Sequence, residues 1–441
     1  MLRLLLPGGI PILLAAAIVW ITREISCRKL HDPFLHRSIV AATIFRLGVS
    51  FLLFGASRWH LPLFETYQLG DGFWNFAWDA KVYHFYGRQV AEAVAAGGFL
   101  PALGPEWPFV LYTAFLYMIF GARLLNAIVL NSLWIGLATL LAARIVRQFT
   151  PDRASGRAAA FSVLLWPSLF LWSTQAMKES VMIFLIFLLF YLVVSILGGA
   201  PRPAVRWTGL AVIAFLISLF RGYVGIGLSA AAAAVFLPMA LLQIFRRSGA
   251  RTFLCLGLLA AVSVPTWAGT RFSSKEILAY LNPVSPRVII EDLPDYLGNL
   301  RKGIVHQSSA STVDPQVQAK SLPEIICYTP RVLAIFFFAP FPWQWGAGGN
   351  LRLLAGMESL LLYLLIPAMI RFLLLLKGRR EPFLLFLLAF ILLLAVPLGV
   401  VVPNLGTLFR LRIQLLIPLV VLLCTTGSII KSYSFISFRN S

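Results

Sequence analysis

Long apolar runs separated by short polar stretches repeat along almost all of this 441-residue chain. A helix needs about 20 apolar residues to cross a bilayer. Runs of about that length fall at 4–22, 38–56, 124–143, 157–176, 180–198, 207–220, 224–245, 252–268, 351–376, 382–401 and 410–430. The pattern predicts an all-α polytopic membrane protein with 11–13 transmembrane helices, forming a single integral membrane domain over residues 1–441.

Two further apolar segments, 108–122 and 331–345, are shorter. Pro105 and Gly121 flank the first, and Pro330 lies just before the second. We interpret both as interfacial or re-entrant helices on the external face, because irregular backbone is tolerated at membrane depth where protein covers it. If both segments cross the membrane, the number of crossings rises from eleven to thirteen.

The composition agrees with a membrane protein, since 59% of the residues are hydrophobic and only 12% are charged. The net charge of +20 comes from short basic clusters between the apolar runs. That distribution indicates topology signals and contact with membrane lipids, and we predict no nucleic-acid partner. The clusters are Arg23/Arg28/Lys29/Arg37, Arg144/Arg147/Arg153/Arg157, Arg202/Arg206, Arg246/Arg247/Arg251, Lys377/Arg379/Arg380 and Lys431/Arg439.

Placing all six clusters in the cytoplasm collects the unusual polar residues on the external face. They lie in the loop 57–107, at the corners 178–179 and 221–223, in the loop 269–330 and in the turn 402–409. We therefore expect a protein of a bacterial inner membrane with a site that faces the periplasm or exterior. The chain has no Walker motif, nucleotide-binding glycine fingerprint or HExxH sequence, and no cofactor is predicted.

The segment 70–84, within the candidate catalytic loop 57–107, is a polar island rich in aromatic residues. The sequence from its last residues onward predicts an amphipathic helix over 79–94. The apolar stripe of this helix is Tyr83, Phe85, Tyr86 and Val90. Asp79 lies near the start of this helix, where the helix dipole favours a carboxylate. One hypothesis makes Asp79 a general base, with Asp71 as second choice and Tyr83 and His84 as substrate-binding residues. The alternative is an interfacial helix with a capping aspartate.

Lys178 and Glu179 follow an apolar run that contains a proline and two tryptophans. They are candidate substrate-binding residues at the outer surface. The alternative is an ion pair at the end of a helical hairpin. A charge at the bilayer centre costs about 2.5–3.5 kcal/mol, and placement at a helix end avoids most of that cost.

Three arginines interrupt apolar runs next to turns. Arg221 precedes Gly222 and Tyr223, and Arg410 and Arg412 follow the turn 402–409. Because a guanidinium binds phosphate oxygens through two parallel hydrogen bonds, we predict a pocket for a lipid-linked phosphate or diphosphate. The alternative is that these side chains extend to lipid headgroups. Glu358 is an intramembrane carboxylate and a candidate partner for one of these arginines.

The loop 269–330 is long for a connector and lacks a strong apolar period. We expect either a polar, basic and mobile lid over the pocket or a surface loop without a role. Arg301 and His306 are its candidate substrate-binding residues. A divalent metal held by oxygens of Asp71 and Asp79 is a further alternative.

Two short motifs carry a resemblance to a known family. Asp79-Ala80-x-x-Tyr83, followed by an apolar stretch ending Phe120-Gly121-x-Arg123-Leu124-x-Asn126, resembles the C-type glycosyltransferase (GT-C) superfamily. That group includes protein O-mannosyltransferases and bacterial lipid-A aminoarabinose transferases. The resemblance covers roughly residues 1–180, and the chain departs from it at Ala80, where the family carries the second residue of an Asp-Glu pair.

The resemblance implies a catalytic base at Asp79 and a polyprenyl-phosphate sugar as donor, used on the non-cytoplasmic face. We therefore predict an inverting transfer of the sugar to a glycan or lipid-linked acceptor, with Arg221, Arg410 and Arg412 holding the leaving phosphate. An O-antigen or exopolysaccharide polymerase or ligase with a diphosphate donor is one alternative. A transporter or flippase of a lipid-linked saccharide, which needs no base, is another.

Overall fold

The computed structural model describes most of the chain, and the described part is mainly helical. The described residues are 2–30, 32–98, 106–273, 286–307, 312–317, 321–347, 350–376 and 381–425. Several helices begin with proline, as at Pro33, Pro167 and Pro382, because the missing N–H of proline has no partner in the first turn anyway.

The α-helices in chain order are α1 (Leu2–Lys29), α2 (Pro33–Arg58), α3 (Trp78–Ala95), α4 (Trp107–Phe120), α5 (Leu124–Phe149), α6 (Arg153–Leu165), α7 (Pro167–Ser173), α8 (Glu179–Leu197), α9 (Pro203–Phe220), α10 (Gly222–Phe245), α11 (Gly249–Ser273), α12 (Pro286–Gln307), α13 (Leu322–Phe338), α14 (Asn350–Leu364), α15 (Ile366–Leu376), α16 (Pro382–Val401), α17 (Leu405–Leu411) and α18 (Ile413–Cys424). A small antiparallel hairpin joins β1 (Gln68–Gly70) to β2 (Phe73–Trp74). Short 3₁₀ helices occupy Glu65–Tyr67, Asn75–Ala77 and Pro342–Ala347.

The predicted class, an all-α membrane protein, is confirmed. Within the described residues, eight helices are long and apolar enough to cross a membrane. Three bent pairs raise the number to eleven if each pair is one span, and these eleven correspond to the eleven predicted runs. The bends are 49° between α6 and α7, 40° between α14 and α15, and 50° between α17 and α18. The segment predicted as interfacial at 108–122 forms α4, an apolar helix of only 14 residues.

The chain packs as two compact units, and the single integral membrane domain over 1–441 stays a prediction. The first unit comprises residues 1–148 and 152–191, and the second comprises 149–151 and 192–441.

In the first unit, an apolar core cluster joins α1, α2, α5 and α6, with Ile39 and Ala160 fully buried. A buried carboxylate, that of Asp32, lies at one end of this apolar cluster. Asp32 caps α2 through Leu35 N (3.2 Å) and accepts two 2.9 Å hydrogen bonds from the guanidinium of Arg157. Arg147 of α5 adds a third hydrogen bond at 3.2 Å. Arg147 and Arg157 therefore share the buried carboxylate of Asp32.

In the second unit, α9, α10 and α11 pack on one another, and α10 also packs against α16. Glycine permits the closest approaches. A Cβ at Gly269 of α11 would lie 2.7 Å from the carbonyl oxygen of Phe215 in α9. A Cβ at Gly227 of α10 would lie 3.2 Å from Leu394 of α16. A side chain at Gly269 would therefore force α9 and α11 apart.

The prediction that 269–330 lacks a strong apolar period is wrong for the part of it that the structure describes. Residues 286–307 form α12, and α13 begins at Leu322. Leu297 of α12 is buried with Val332 of α13 and Val400 of α16. Its neighbours at helical spacing, Leu293, Leu300 and Ile304, repeat that apolar position in the sequence. The remainder of the predicted lid, 274–285, 308–311 and 318–320, lies outside the described residues.

Candidate functional site

The polar island begins with a tight turn that joins the two strands. Gly70, Asp71 and Gly72 all have positive φ, at +77°, +52° and +88°. Asp71 is exposed at the tip and forms an ion pair with Arg58 of α2. Ser57 of α2 donates a 2.5 Å hydrogen bond to the carbonyl of Phe73. The island is therefore fastened to the end of α2, and Asp71 points away from the packed face.

The predicted amphipathic helix over 79–94 is confirmed as α3, Trp78–Ala95. Asp79 lies in its first turn and is partly buried. Tyr83 is one turn further on, is 1% exposed, and packs edge-on against Phe109 of α4 with ring centroids 4.7 Å apart. The predicted stripe needs one correction, because Phe85 is 55% exposed and Gly87 lies on the packed face. Gly87 permits this contact, since a Cβ there would lie 2.8 Å from Thr113 of α4.

His84 joins α3 to α4 by a hydrogen bond of 2.7 Å between its Nδ1 and the hydroxyl of Tyr117. Its ring also packs against Phe73, with centroids 5.5 Å apart. Burial lowers the pKa of His84 below its usual 6.5, and the nearby Arg88 adds to the lowering. The imidazole is therefore neutral at pH 7, which suits a structural link or a neutral hydrogen-bonding partner of a substrate.

Lys178 occupies the break between α7 and α8 and is only 7% exposed. Its ammonium forms an ion pair with Glu106, the residue before α4, and lies 5.7 Å from the ring centroid of Tyr83. Glu179 begins α8 and is fully buried. The structure thus brings together two predicted residues, Tyr83 and Lys178, which are distant in the sequence.

The break that holds Lys178 is fixed from two sides by buried polar side chains. Asn131 of α5 donates a 2.5 Å hydrogen bond to the carbonyl of Gln175. Arg46 of α2 donates to Ser173 Oγ (3.0 Å) and to the carbonyl of Leu164 (2.6 Å). The position of Lys178 is therefore set by the packing of the first unit and not by a free loop.

Glu106 is a member of this cluster that the sequence analysis missed. A signal for it exists, because Glu106 is the only acidic residue between Glu92 and Asp152. A lone carboxylate between apolar segments needs a cation or water nearby. That argument does not identify which cation, and the partner, Lys178, follows only from the fold.

In the second unit, Arg221 is 3% exposed at the corner between α9 and α10. Its Nη1 donates to the hydroxyl of Tyr223 at 2.7 Å. Gln414 of α18 approaches the same hydroxyl with its Nε2 at 3.4 Å. The predicted pair Arg221 and Tyr223 therefore adjoins the segment that follows Arg410 and Arg412.

Arg412 lies at the bend between α17 and α18 and pairs with Glu358 of α14, as the sequence analysis anticipated for one of the arginines. The two side chains are 1% and 0% exposed. Both Nε (3.2 Å) and Nη2 (2.9 Å) of Arg412 donate to the same oxygen of Glu358. Nη1 donates to the carbonyl of Ala339 at 2.5 Å. The charge of Arg412 is therefore balanced inside the protein, whereas Arg410 is partly exposed.

Arg301 is also committed to internal contacts. Its guanidinium donates to the carbonyls of Val313, Asp314, Val317 and Val400. These bonds fix the segment 312–317, which also pairs with Asn404. Arg301 is therefore left out of the substrate-binding set proposed below. The side chain of His306 lies outside the described residues.

Among the side chains that the structure describes, no group of three or more His, Cys, Asp or Glu residues could hold a metal ion. The chain matches no protein-family model, and no curated protein matches it either.

Proposed function

We propose that the protein transfers a sugar from a polyprenyl-phosphate donor to a lipid-linked or cell-surface acceptor. One observation carries the proposal: α3, which bears Asp79 in its first turn, packs through Tyr83 onto the buried Lys178. Such a transfer needs a base and a cation, and Tyr83 connects the helix that bears Asp79 to Lys178. The base accepts a proton from the acceptor, and the cation balances the phosphate that leaves.

In this mechanism the oxygen of the acceptor hydroxyl attacks C1 of the sugar, and Asp79 accepts the proton of that hydroxyl. The bond between C1 and the phosphate oxygen breaks with inversion at C1, and the polyprenyl phosphate departs with the bonding electrons. Asp79 and Tyr83 are four residues apart and so share a face of α3. Asp79 therefore lies on the side of α3 whose buried ring, Tyr83, lies near the ammonium of Lys178.

Lys178 is proposed to bind the leaving phosphate. An ammonium that is 7% exposed lies in a medium of low polarity, where its attraction for a phosphate is far stronger than in water. The rigid break around it holds the charge in place before the reaction starts, which is the condition for electrostatic stabilisation of a transition state.

Arg221 and Arg410 of the second unit are proposed to bind a lipid phosphate as well, Arg221 together with the hydroxyl of Tyr223. Arg412 has a weaker claim, because Glu358 neutralises it.

The test is the Asp79→Asn variant, assayed for sugar transfer from polyprenyl-phosphate donors by purified protein in lipid vesicles. We expect transfer to fall by at least about 10²-fold, the usual contribution of a general base, with donor binding retained. Asp71→Asn is the matched control, since Asp71 is exposed at the tip of the turn and forms an ion pair with Arg58. Wild-type transfer by Asp79→Asn would exclude Asp79 as the base.

A transporter of lipid-linked saccharides is the second candidate, and the three bent helix pairs favour it. Broken helices form the substrate sites of many transporters. Vesicles that contain the protein separate the two functions. A transporter moves the intact donor across the bilayer in the absence of acceptor, and Asp79→Asn leaves that movement unchanged. A transferase releases polyprenyl phosphate only when acceptor is present.

A further inference from the structure

Glu106 and Lys178 form an asymmetric ion pair. The side chain of Lys178 is 7% exposed, whereas that of Glu106 is 48% exposed. A buried ammonium without an anion is costly, so Lys178 requires a partner at all times. A half-exposed carboxylate has no such requirement, because water solvates it when it leaves. The pair can therefore exchange its anion but not its cation.

The local structure leaves Glu106 free to make that exchange without damage to α4. Glu106 is the N-cap residue of α4, yet its carboxylate makes no capping hydrogen bond. The helix start depends on its backbone carbonyl, which accepts hydrogen bonds from Phe109 N (3.1 Å) and Val110 N (3.2 Å). A Pro at position 108 further secures the first turn.

We propose that Lys178 is a phosphate-binding residue whose site is held by the carboxylate of Glu106 until a phosphate of a lipid-linked ligand displaces it. This inference rests on the proposed function. It adds how the site distinguishes phosphorylated lipids from neutral lipid alcohols. The polyprenyl phosphate that transfer releases is a monoester with about −1.5 to −2 charges at pH 7, so it competes for the ammonium better than a carboxylate with one charge. A neutral lipid alcohol does not, so Glu106 selects phosphorylated ligands.

The experiment measures the binding of farnesyl phosphate to the full-length protein in detergent micelles by isothermal titration calorimetry. Glu106→Gln removes the competing charge and keeps the shape of the side chain. We expect the Kd for farnesyl phosphate to fall by about fivefold, which corresponds to about 1 kcal/mol. Farnesol, the neutral analogue, should show no gain. Glu92→Gln, the same change in an exposed pair with Arg88 on α3, should leave the Kd unchanged.

Two further variants make every outcome informative. Lys178→Met should weaken binding of farnesyl phosphate, and it should abolish the gain in the double variant with Glu106→Gln. If Glu106→Gln binds no more tightly while Lys178→Met binds more weakly, Glu106 does not compete and this inference fails, but the proposed function stands. If Lys178→Met binds as the wild type does, the phosphate site assigned to Lys178 by the proposed function fails as well.

Glu106→Gln removes the carboxylate that pairs with the buried Lys178 and could unfold the protein. Glu106→Ser, which lets water reach Lys178, is therefore tested beside it, and thermal unfolding of both variants is recorded with and without farnesyl phosphate. The inference expects a larger stabilisation by farnesyl phosphate in either variant than in the wild type. An equal or smaller stabilisation in the folded variants overturns it.

Discussion

The buried pair of Arg412 and Glu358 offers a sharp test of what the intramembrane charges do. Both side chains are almost wholly inaccessible, at 1% and 0% exposure. Removing Glu358 takes away the carboxylate that pairs with the buried guanidinium of Arg412. We therefore expect Glu358→Gln to destabilise the protein by about 3–5 kcal/mol, the usual effect of breaking a buried pair.

The two halves of the pair should not be equivalent. A guanidinium does not lose its proton in proteins, so Arg412 stays charged in Glu358→Gln. The carboxylate of Glu358 can take up a proton and become neutral when Arg412 is replaced. Arg412→Met should therefore cost less, about 1–3 kcal/mol, which is the range for a buried polar group left unsatisfied. The double variant Arg412→Met with Glu358→Leu removes both charges and should be close to the wild type in stability.

The measurement is thermal unfolding of the purified variants in detergent, with Glu24→Gln as control. Glu24 pairs with Arg28 on the surface, and such pairs contribute about 0–1 kcal/mol. Equal losses for Glu358→Gln and Glu24→Gln would refute burial of the pair. A double variant as unstable as Glu358→Gln would refute uncompensated charge as the cause. If the double variant is stable but no longer binds the lipid phosphate, Arg412 is a donor-binding residue.

Three further predictions concern the charges at helix ends. Asp32→Asn should lower the unfolding temperature more than Asp152→Asn. Asp152 caps α6, and asparagine caps a helix about as well, whereas Asp32 binds Arg147 and Arg157 through a charge that asparagine lacks. The hydrogen bonds from Arg157 hold the pKa of Asp32 below 3.8 in the folded protein. The ionised Asp32 therefore stabilises the fold above about pH 4, and this stabilisation is lost as the pH falls through the lower folded-state pKa. Thermal unfolding measured from pH 7 to pH 3 checks this. Arg301→Ala should speed hydrogen exchange at 313–317, where it removes bonds to three carbonyls.

The membrane spans could be predicted from the sequence because their length and apolar content define them. The bends that interrupt three of these spans could be predicted only in part. Pro167 and Pro367 lie at two of the three bends, where proline interrupts the helical hydrogen bonds. The third bend lies at Arg412, which pairs with Glu358, 54 residues earlier in the sequence. No local pattern encodes that pairing.

The candidate site was predicted in part for the same reason. Asp79, Tyr83 and Lys178 were recognisable as polar or aromatic residues out of place in a membrane protein. Their neighbours were not, because the contact of Tyr83 with Lys178 and the choice of Glu106 as its anion depend on how α3, α4 and α7 pack. Helix α12 was missed because Pro294 and its charged residues obscure an apolar repeat that the packed Leu297 makes visible.

Buried arginines in this chain share one property that changes how such residues should be interpreted. The last turn of a helix leaves carbonyls without intrahelical partners, and in a bilayer no water satisfies them. Three buried arginines each donate to a carbonyl at the end of a helix, namely Arg46 to Leu164 of α6, Arg301 to Val400 of α16, and Arg412 to Ala339 after α13. A cation at this position also opposes the negative end of the helix dipole. An arginine in an apolar run therefore indicates an interrupted helix nearby before it indicates a phosphate.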